Sequence, residues 1–175
     1  MIPGRVLAID PGNEQSAFAA LDLDTRRPIT FAKTQNQALL ESLESGSFDY
    51  QTVYIEMIAS YGMPVGREVF DTCVWIGRYL QTTLNNGADV HLVPRLKVKI
   101  HHCHDSKAKD SNITQALVDR FAYGQRNHGK GTNTQPGWFH GFHRDIWQAY
   151  ALGVYGADLL TGTDRPPDDW EPVPY

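Results

Sequence analysis

Short apolar runs divided by turn residues fill the first third of the chain. The pattern predicts strands over residues 5–10, 16–21 and, more weakly, 28–32, with a Gly-Asn turn between the first two. Strands this close together in sequence predict antiparallel hairpins. Two further buried strands are expected over residues 53–56 and 90–93, which brings the predicted sheet to five strands.

Helical periodicity separates the later strands. A short amphipathic helix is predicted over residues 37–44 and a long one over residues 69–84, where apolar residues recur at three- and four-residue steps. The residues expected on the inner face of the long helix are Phe70, Cys73, Gly77, Leu80 and Leu84. Trp75 and Tyr79 then lie on the other side, where either the chain's own loops cover them or they form a dimer contact.

The last third of the chain combines two predicted helices with a polar loop. One helix begins at about Asp110 as its N-cap, and the other runs from about residue 144 to residue 160. The second helix has a narrow face of mostly small residues, which suits close packing on a sheet. Between the helices, residues 124–141 are rich in Gly, Asn, Thr and Gln and are expected to form a long mobile loop.

Composition places the chain among soluble globular proteins, because 41% of its 175 residues are apolar and 21% are charged. This length suits one domain, which we place at residues 1–160, followed by an acidic, Pro-rich tail over residues 161–175. No apolar run reaches the length of a membrane span, and the N-terminus lacks the apolar core of a secretory signal. With two cysteines, a reduced, cytoplasmic setting is expected.

Charge is unevenly distributed along the chain. From residue 158 onward, five acidic residues face Arg165 alone, which accounts for the whole net charge of −4. Residues 95–130 carry eight Lys and Arg against three Asp, a local charge of +5, together with four histidines. Such a stretch is typical of a phosphate-binding face, although an ordinary solvated surface has the same composition.

Acidic residues stand at the ends of two predicted strands and at the start of a helix. Asp10 closes the first strand before a Pro-Gly turn, Glu56 closes the fourth, and Asp145 lies in the first turn of the last helix. If those strands are parallel neighbours and the helix crosses the sheet, the three carboxylates converge at one edge. Such a cluster needs cations, and hard oxygen ligands favour Mg²⁺ or Mn²⁺. Taken singly, each acid is also explained as a solvated strand end or helix start.

These elements resemble those of a known nuclease family. Residues 6–13, with the sequence VLAIDPGN, are similar to the first strand of RuvC-type Holliday-junction resolvases, within the RNase H-like nuclease superfamily. Residues 53–56 resemble that family's second acidic strand, residues 106–113 its basic approach to the penultimate helix, and residues 145–152 its last, acid-bearing helix. The resemblance spans residues 5–160 in element order and implies an RNase H-like α/β fold, a mixed five-stranded sheet flanked by helices.

The resemblance also implies an activity. It is that of a metal-dependent endonuclease of DNA recombination and repair, which cuts branched DNA and specifically four-way Holliday junctions. Asp10, Glu56 and Asp145 would be its metal ligands and Mg²⁺ its cofactor, with Mn²⁺ as a substitute. The family places a fourth ligand three residues before the last acid, where this chain has Phe142, so we assign the fourth role to His143.

The same resemblance extends to partners. Lys107 and Lys109 stand where basic residues of the family bind phosphates, and Arg95, Lys97 and Lys130 from the same basic stretch are expected to hold the DNA arms. Symmetric cutting of a junction needs two active sites, which implies a homodimer. The modest size and the acidic tail suit a phage or prophage protein that acts in the cytoplasm of a bacterial or infected cell.

Other functions remain open at this point. An RNase H-like nuclease could act on RNA–DNA hybrids or flaps instead, and a fourth ligand out of register is also consistent with a catalytically weak junction-binding module. Actin-like ATPases and sugar kinases use a similar strand-Asp-x-Gly turn to hold nucleotide phosphates. Those proteins need two such domains and a much longer chain, so the length of 175 residues argues against them.

Two smaller motifs have alternative interpretations. A cluster in the basic stretch suggests zinc, but structural zinc motifs space their ligands by two to four residues and need a second pair, so a surface role near DNA is favoured. The residues of that cluster are His101, His102, Cys103 and His104. Trp138, Phe139 and Phe142 either stack on unpaired bases or pack the polar loop onto the core.

Overall fold

A mixed five-stranded sheet forms the centre of the computed structural model, which describes residues 4–60, 62 and 64–163. The strands are β1 (Arg5–Asp10), β2 (Gln15–Asp22), β3 (Pro28–Gln35), β4 (Thr52–Met57) and β5 (Asp89–Pro94). Their spatial order is β3-β2-β1-β4-β5. The first three pair antiparallel, whereas β1, β4 and β5 run parallel. The predicted sheet and its hairpins are therefore confirmed.

Helices cover both faces of this sheet. They are α1 (Asn36–Glu44), α2 (Arg67–Asn85), α3 (Arg95–Cys103), α4 (Asp110–Phe121) and α5 (Ile146–Thr161), with a 3₁₀ turn at Asn127–Gly129. Because side chains alternate along a strand, β1 sends Leu7 and Ile9 toward α1 and α2 and sends Val6 and Ala8 toward α5. Among the helices that the structure describes, none is long and apolar enough to span a membrane.

The inner face predicted for α2 is largely wrong. Of its five residues only Leu80 packs against the core, whereas Phe70, Gly77 and Leu84 are exposed, with 60% of Phe70 accessible. The residues that face the core are Thr72, Ile76, Tyr79 and Thr83.

Two threonines explain the error in α2. The hydroxyls of Thr72 and Thr83 donate hydrogen bonds of 2.8 and 2.7 Å to the carbonyls of Glu68 and Tyr79, one helical turn earlier. A threonine whose hydroxyl is satisfied inside its own helix can be buried. Apolar periodicity therefore predicted the wrong buried face for α2, because polar residues occupy part of the face that packs on the core.

Helix α3 follows β5 directly and was not predicted as a helix. Its residue His101 is buried, and the His101 Nε2 lies 2.8 Å from the carboxylate of Asp158 in α5. The charge count grouped Asp158 with the acids of the C-terminal end, but this residue is fully buried. Of the predicted tail, Thr161 is the last residue of α5, and residues 164–175 lie outside the described part of the chain.

Asp158 is the centre of a buried charge network. Arg26 Nε donates to the carboxylate at 3.1 Å, and Arg120 donates two hydrogen bonds of 2.6 and 2.8 Å. Burial acts to raise the pKa of Asp158, but the hydrogen bonds from His101, Arg120 and Arg26 outweigh it and hold the pKa well below its usual range. The network joins the β2–β3 hairpin, α3 and α4 to the C-terminal half of α5.

The polar segment 124–141 folds back on the core instead of forming an open loop. A bridge pairs Gly131 with Pro136, and Phe139 and Phe142 are buried against Trp147 and Tyr150 of α5. This favours the packing interpretation of the aromatic residues over base stacking.

Trp138 also packs against two neighbouring side chains. Its ring stacks on Phe121 with a centroid distance of 5.1 Å, and the guanidinium of Arg27 lies 5.2 Å from the ring centroid. These contacts favour packing over base stacking for Trp138 as well.

Candidate active site

Asp10 and Glu56 lie together at one edge of the sheet. The parallel register pairs Ile9 with Ile55, so the next residue of each strand is an acid. Both acids share the face of the sheet that Ala8 presents, because side chains two residues apart point the same way. This is the face covered by α5.

Two glycines bring α5 close to the sheet. A Cβ atom at Gly153 would stand 2.2 Å from a methyl of Leu21, and one at Gly156 would stand 2.2 Å from the ring of Tyr54. Any other residue type at these positions requires the helix or the contacted side chain to move. The close packing carries the N-terminus of α5, where Asp145 is the N-cap residue, to the edge that holds Asp10.

Asp10 and Asp145 line the same cavity. Its volume is about 290 Å³, and half of its lining residues come from the turn between β1 and β2. The residues of the wall are Asp10, Pro11, Gly12, Asn13, Glu14, Gln15, Lys33 and Asp145. The three predicted acids are thus on one sheet edge, with two of them in a shared cavity.

Two basic side chains hold two of the acids. Lys33 on β3 donates to Asp145 Oδ2 at 2.5 Å. Arg95, the first residue of α3, donates to Glu56 Oε2 at 3.1 Å, to Asp110 Oδ1 at 2.5 Å and to Gln148 Oε1 at 2.7 Å. In the part of the chain that the structure describes, no donor side chain binds the Asp10 carboxylate.

The electrostatics of the cluster follow from this pairing. Burial raises the pKa of Asp10 well above 3.8, repulsion from Glu56 and Asp145 raises it further, and the nearby charge of Arg95 lowers it. Burial also raises the pKa of Glu56, although Arg95 acts against it. The carboxylates therefore carry more negative charge than Lys33 and Arg95 compensate.

The donor set fits a hard divalent cation in its chemistry. Within residues 4–60, 62 and 64–163, no three acidic, His or Cys side chains converge closely enough to hold a metal ion as they stand. Lys33 and Arg95 occupy carboxylate oxygens that a cation would need. Carboxylate oxygens are nevertheless the ligands that Mg²⁺ and Mn²⁺ prefer, and the unpaired Asp10 has no other neutralising group bonded to it.

The remaining predicted site residues occupy different surroundings. His143 is exposed, two residues before Asp145, and it does not belong to the cavity wall described above. Lys107 and Lys109 are exposed in the turn that leads into α4, whose N-cap is Lys109 rather than Asp110. Lys97 and Lys130 are half-buried.

The zinc alternative finds no support in the geometry. His101 is bonded to Asp158, and His102 Nε2 lies 2.8 Å from the carbonyl of Ala151. Burial lowers the pKa of His102 to about 4. His104 and Cys103 are not gathered with them around a common point, since none of the described residues forms a group of three such ligands.

Sequence reasoning missed three members of the cluster: Lys33, Asp110 and Gln148. An edge strand often carries Lys for solubility, so nothing local marks Lys33 as a site residue. Asp110 was interpreted as a helix cap, and its charge raises the pKa of both Asp10 and Glu56. Gln148 lies three residues after Asp145, and helical spacing puts residues three apart on the same face of a helix, so this signal for Gln148 was present in the sequence.

Comparison with solved structures identifies the fold. No protein-family model and no curated protein sequence matches the chain. The structure is similar to that of Thermus thermophilus RuvC at a TM-score of 0.63 and 14% identity, covering 93% of this chain and 99% of RuvC. It is similar to RuvC from the same organism in complex with a Holliday-junction substrate at a TM-score of 0.62 and 13% identity, with the same coverage of both chains. The nuclease of the large terminase from the thermophilic phage G20c has a TM-score of 0.42 and 14% identity, covering 87% of this chain and 81% of the terminase nuclease. The chain therefore has the RNase H-like fold of RuvC, as its sequence motifs predicted.

Proposed function

We propose that this protein is a metal-dependent endonuclease that hydrolyses phosphodiester bonds in branched DNA, with the four-way Holliday junction as its substrate. The observation that carries the proposal is the meeting of Asp10, Glu56 and Asp145 at one sheet edge in a RuvC-like fold. A RuvC neighbour of that fold is described in complex with a Holliday junction, which supports the choice of substrate.

The three acids are the proposed metal ligands. Asp10 and Asp145 would hold Mg²⁺, or Mn²⁺ in its place, from the cavity wall, and Glu56 would complete the set from β4. When bound, the ion supplies the Lewis acidity that phosphodiester hydrolysis requires. Until a cation is bound, the negative charges of Asp10 and Asp145 would also repel a phosphate from the cavity.

His143 and Arg95 would act beside these ligands. The role proposed for His143, an exposed imidazole two residues before Asp145, is to position a water or carry a proton. Arg95 was predicted to hold a DNA arm, and its three hydrogen bonds favour a different role, that of fixing Glu56 relative to α4 and α5. Its side chain remains 25% exposed, so contact with a phosphate is still open to it.

DNA binding is proposed for the basic residues around α4. Lys107 and Lys109 are exposed before the N-terminus of α4, a position where helix N–H groups also favour phosphate. Lys97 and Lys130 would extend this surface. Contacts of this kind make affinity fall steeply with salt and carry little sequence preference.

A homodimer is part of the proposal. Cutting two strands of a junction symmetrically needs two active sites related by a two-fold axis. Helix α2 offers a surface for such pairing, because Phe70, Val74 and Leu84 form an exposed apolar stripe on the face away from the core. This stripe replaces Trp75 and Tyr79, which the sequence offered as the dimer contact.

Junction cleavage tests the activity directly. Wild type with Mg²⁺ or Mn²⁺ is expected to cut a four-way junction in preference to a flap, an RNA–DNA hybrid and a linear duplex. Asp10→Asn removes a proposed ligand and is expected to abolish cleavage, while Asp119→Asn, an acid on the exposed face of α4, serves as the control. Equal cleavage by wild type and Asp10→Asn would overturn the proposed site. Preferential cutting of the hybrid or the flap would overturn the proposed substrate. Junction binding without cleavage would overturn the proposed activity and favour a junction-binding module.

A further inference from the structure

Lys33 is the basic residue of the cavity, and neither the fold nor the proposed ligand set explains its position. It lies on β3, opposite Ala17 of β2, and its ammonium reaches across the sheet edge to Asp145. The side chain is 28% exposed, and it shares the cavity wall with Asp10 and Asn13. Lysines on edge strands ordinarily extend into solvent. This one is directed into the cavity that Asp10 and Asp145 line.

The ion pair with Asp145 is not needed to hold α5 in place. Close packing at Gly153 and Gly156 and the buried network at Asp158 already fix the helix on the sheet. The Asp145 side chain is 45% exposed, and ion pairs with that degree of exposure contribute little to stability. The position of Lys33 is therefore explained by a role in the candidate active site and not by a contribution to the stability of the fold.

Lys33 and Arg95 differ in how firmly they are held. Arg95 donates to three different residues, whereas the hydrogen bond to Asp145 is the side-chain contact that the described structure shows for Lys33. A doubly charged cation competes with a single ammonium for the same carboxylate oxygen. Of the two basic groups, Lys33 is therefore the one that a cation can release.

We propose that Lys33 is a phosphate-binding residue of the cleavage site. Lys33 pairs with Asp145 when no cation is bound, and it is released when a divalent cation binds the Asp145 carboxylate. This inference depends on the proposed nuclease function. An ammonium is a compact charge with three donors on a flexible stem, so a small rotation carries it from a carboxylate to a phosphate oxygen. Lys33 would thus couple filling of the cation site to binding of the substrate phosphate.

The coupling predicts two effects of opposite sign for Lys33→Met. Mn²⁺ binding, measured by electron paramagnetic resonance on the full chain without DNA, is expected to tighten by about two- to fivefold because the competing ammonium is gone. Junction cleavage at saturating Mn²⁺ is expected to fall by roughly tenfold to a hundredfold because the phosphate loses a charged donor. Lys33→Arg, which keeps a cation, should recover much of the cleavage.

A matched control removes the same charge elsewhere. Arg5→Met lies at the opposite end of β1 from Asp10 and should leave both Mn²⁺ affinity and cleavage unchanged. Weaker Mn²⁺ binding by Lys33→Met, or cleavage equal to that of Arg5→Met, would overturn the role of Lys33. The variant Asp10→Asn distinguishes failure of the inference about Lys33 from failure of the proposed nuclease function. If Asp10→Asn binds Mn²⁺ and cuts like wild type, the proposed function itself fails. If it does neither and Lys33→Met resembles the control, only the inference about Lys33 fails.

Discussion

The side-chain amide of Asn36 donates a hydrogen bond of 2.8 Å to the carbonyl of Gly12, two residues after Asp10. Ser16 Oγ donates in turn to Asn36 Oδ1 at 2.6 Å, and the Gly12 N–H reaches Ser16 Oγ at 3.3 Å. The first residue of α1 therefore fixes the turn that follows Asp10. Tyr79 of α2 joins the same network through its hydroxyl, 3.1 Å from Ser16 Oγ.

Loss of the Asn36 amide should loosen this turn. Asn36→Ala leaves the Gly12 carbonyl and the Ser16 hydroxyl short of a buried partner, which is expected to cost about 1–3 kcal/mol in the free energy of unfolding. Cleavage by the folded protein should fall as well, because Asp10 is no longer held in place. Urea unfolding and junction cleavage below the melting range measure the two effects. Asn85→Ala, on the exposed surface of α2, is the control, and full activity of Asn36→Ala would show that Asn36 supports the fold alone.

The raised pKa of Asp10 predicts an unusual pH dependence. Because burial and Glu56 raise this pKa above 3.8, the folded chain binds the Asp10 proton more tightly than the unfolded chain does. The metal-free protein should therefore lose stability as the pH rises through the folded pKa. Asp10→Asn removes this loss and is expected to stabilise by on the order of 1–3 kcal/mol at pH 8, with little effect at pH 4. Urea unfolding in a chelator checks this, and destabilisation at pH 8 would contradict it.

Asp158 predicts the opposite dependence. Its lowered pKa means that the folded state favours the charged form, so its contribution is present above the unfolded pKa of about 3.9 and is lost as the pH falls through the folded pKa. Asp158→Asn leaves Arg26 and Arg120 without their carboxylate and is expected to cost about 3–5 kcal/mol at pH 7. Asp119→Asn should change stability by less than about 0.5 kcal/mol. Similar unfolding midpoints for the two variants would refute the structural role of Asp158.

Two glycines on different helices give a matched pair. Gly156→Ala places a Cβ against the Tyr54 ring and is expected to destabilise by about 1–3 kcal/mol, which outweighs the better helix propensity of alanine. Gly77→Ala in α2 meets nothing within 4 Å and should stabilise by about 0.5–1 kcal/mol. Thermal unfolding of both variants at low protein concentration measures the difference. Stabilisation by both changes would show that α5 can move away from the sheet at little cost.

The apolar stripe on α2 predicts the oligomeric state. Val74→Glu adds a charge to the centre of the proposed contact and is expected to convert the dimer to a monomer with an unchanged fold. Ile29→Glu, an exposed apolar residue on β3, is the control for a general effect of added charge. Light scattering coupled to size-exclusion chromatography gives the mass of each species. A monomeric wild type, or a Val74→Glu variant that stays dimeric, would exclude this surface.

The acids were predictable from sequence because their placement is a local matter. Asp10 and Glu56 each end an apolar strand, and the direction and order of the strands then bring both to one edge. Lys33 and Arg95 were not predictable as partners of those acids. Their contacts join β3 to α5 and α3 to β4, and no periodicity within one element encodes a distance between two.

Helix α2 shows a different limit of the sequence. Its apolar residues have helical spacing, so the helix itself was predicted, but its buried side contains Thr72, Tyr79 and Thr83. Those residues are buried because their hydroxyls are satisfied by the helix backbone and by Ser16. A pattern based on polarity alone assigns such residues to solvent.

Helix α5 separates two groups of charges. The acid at its N-terminus is half exposed at the cavity, and the acid near its C-terminus is sealed in a network of arginines and a histidine. Neutralising the first should therefore leave the architecture intact. The variant Asp145→Asn can then serve as a substrate trap, since it would keep the proposed DNA-binding surface while losing turnover. Recovering the nucleic acid that stays bound to it would test whether this protein binds branched structures in the cell.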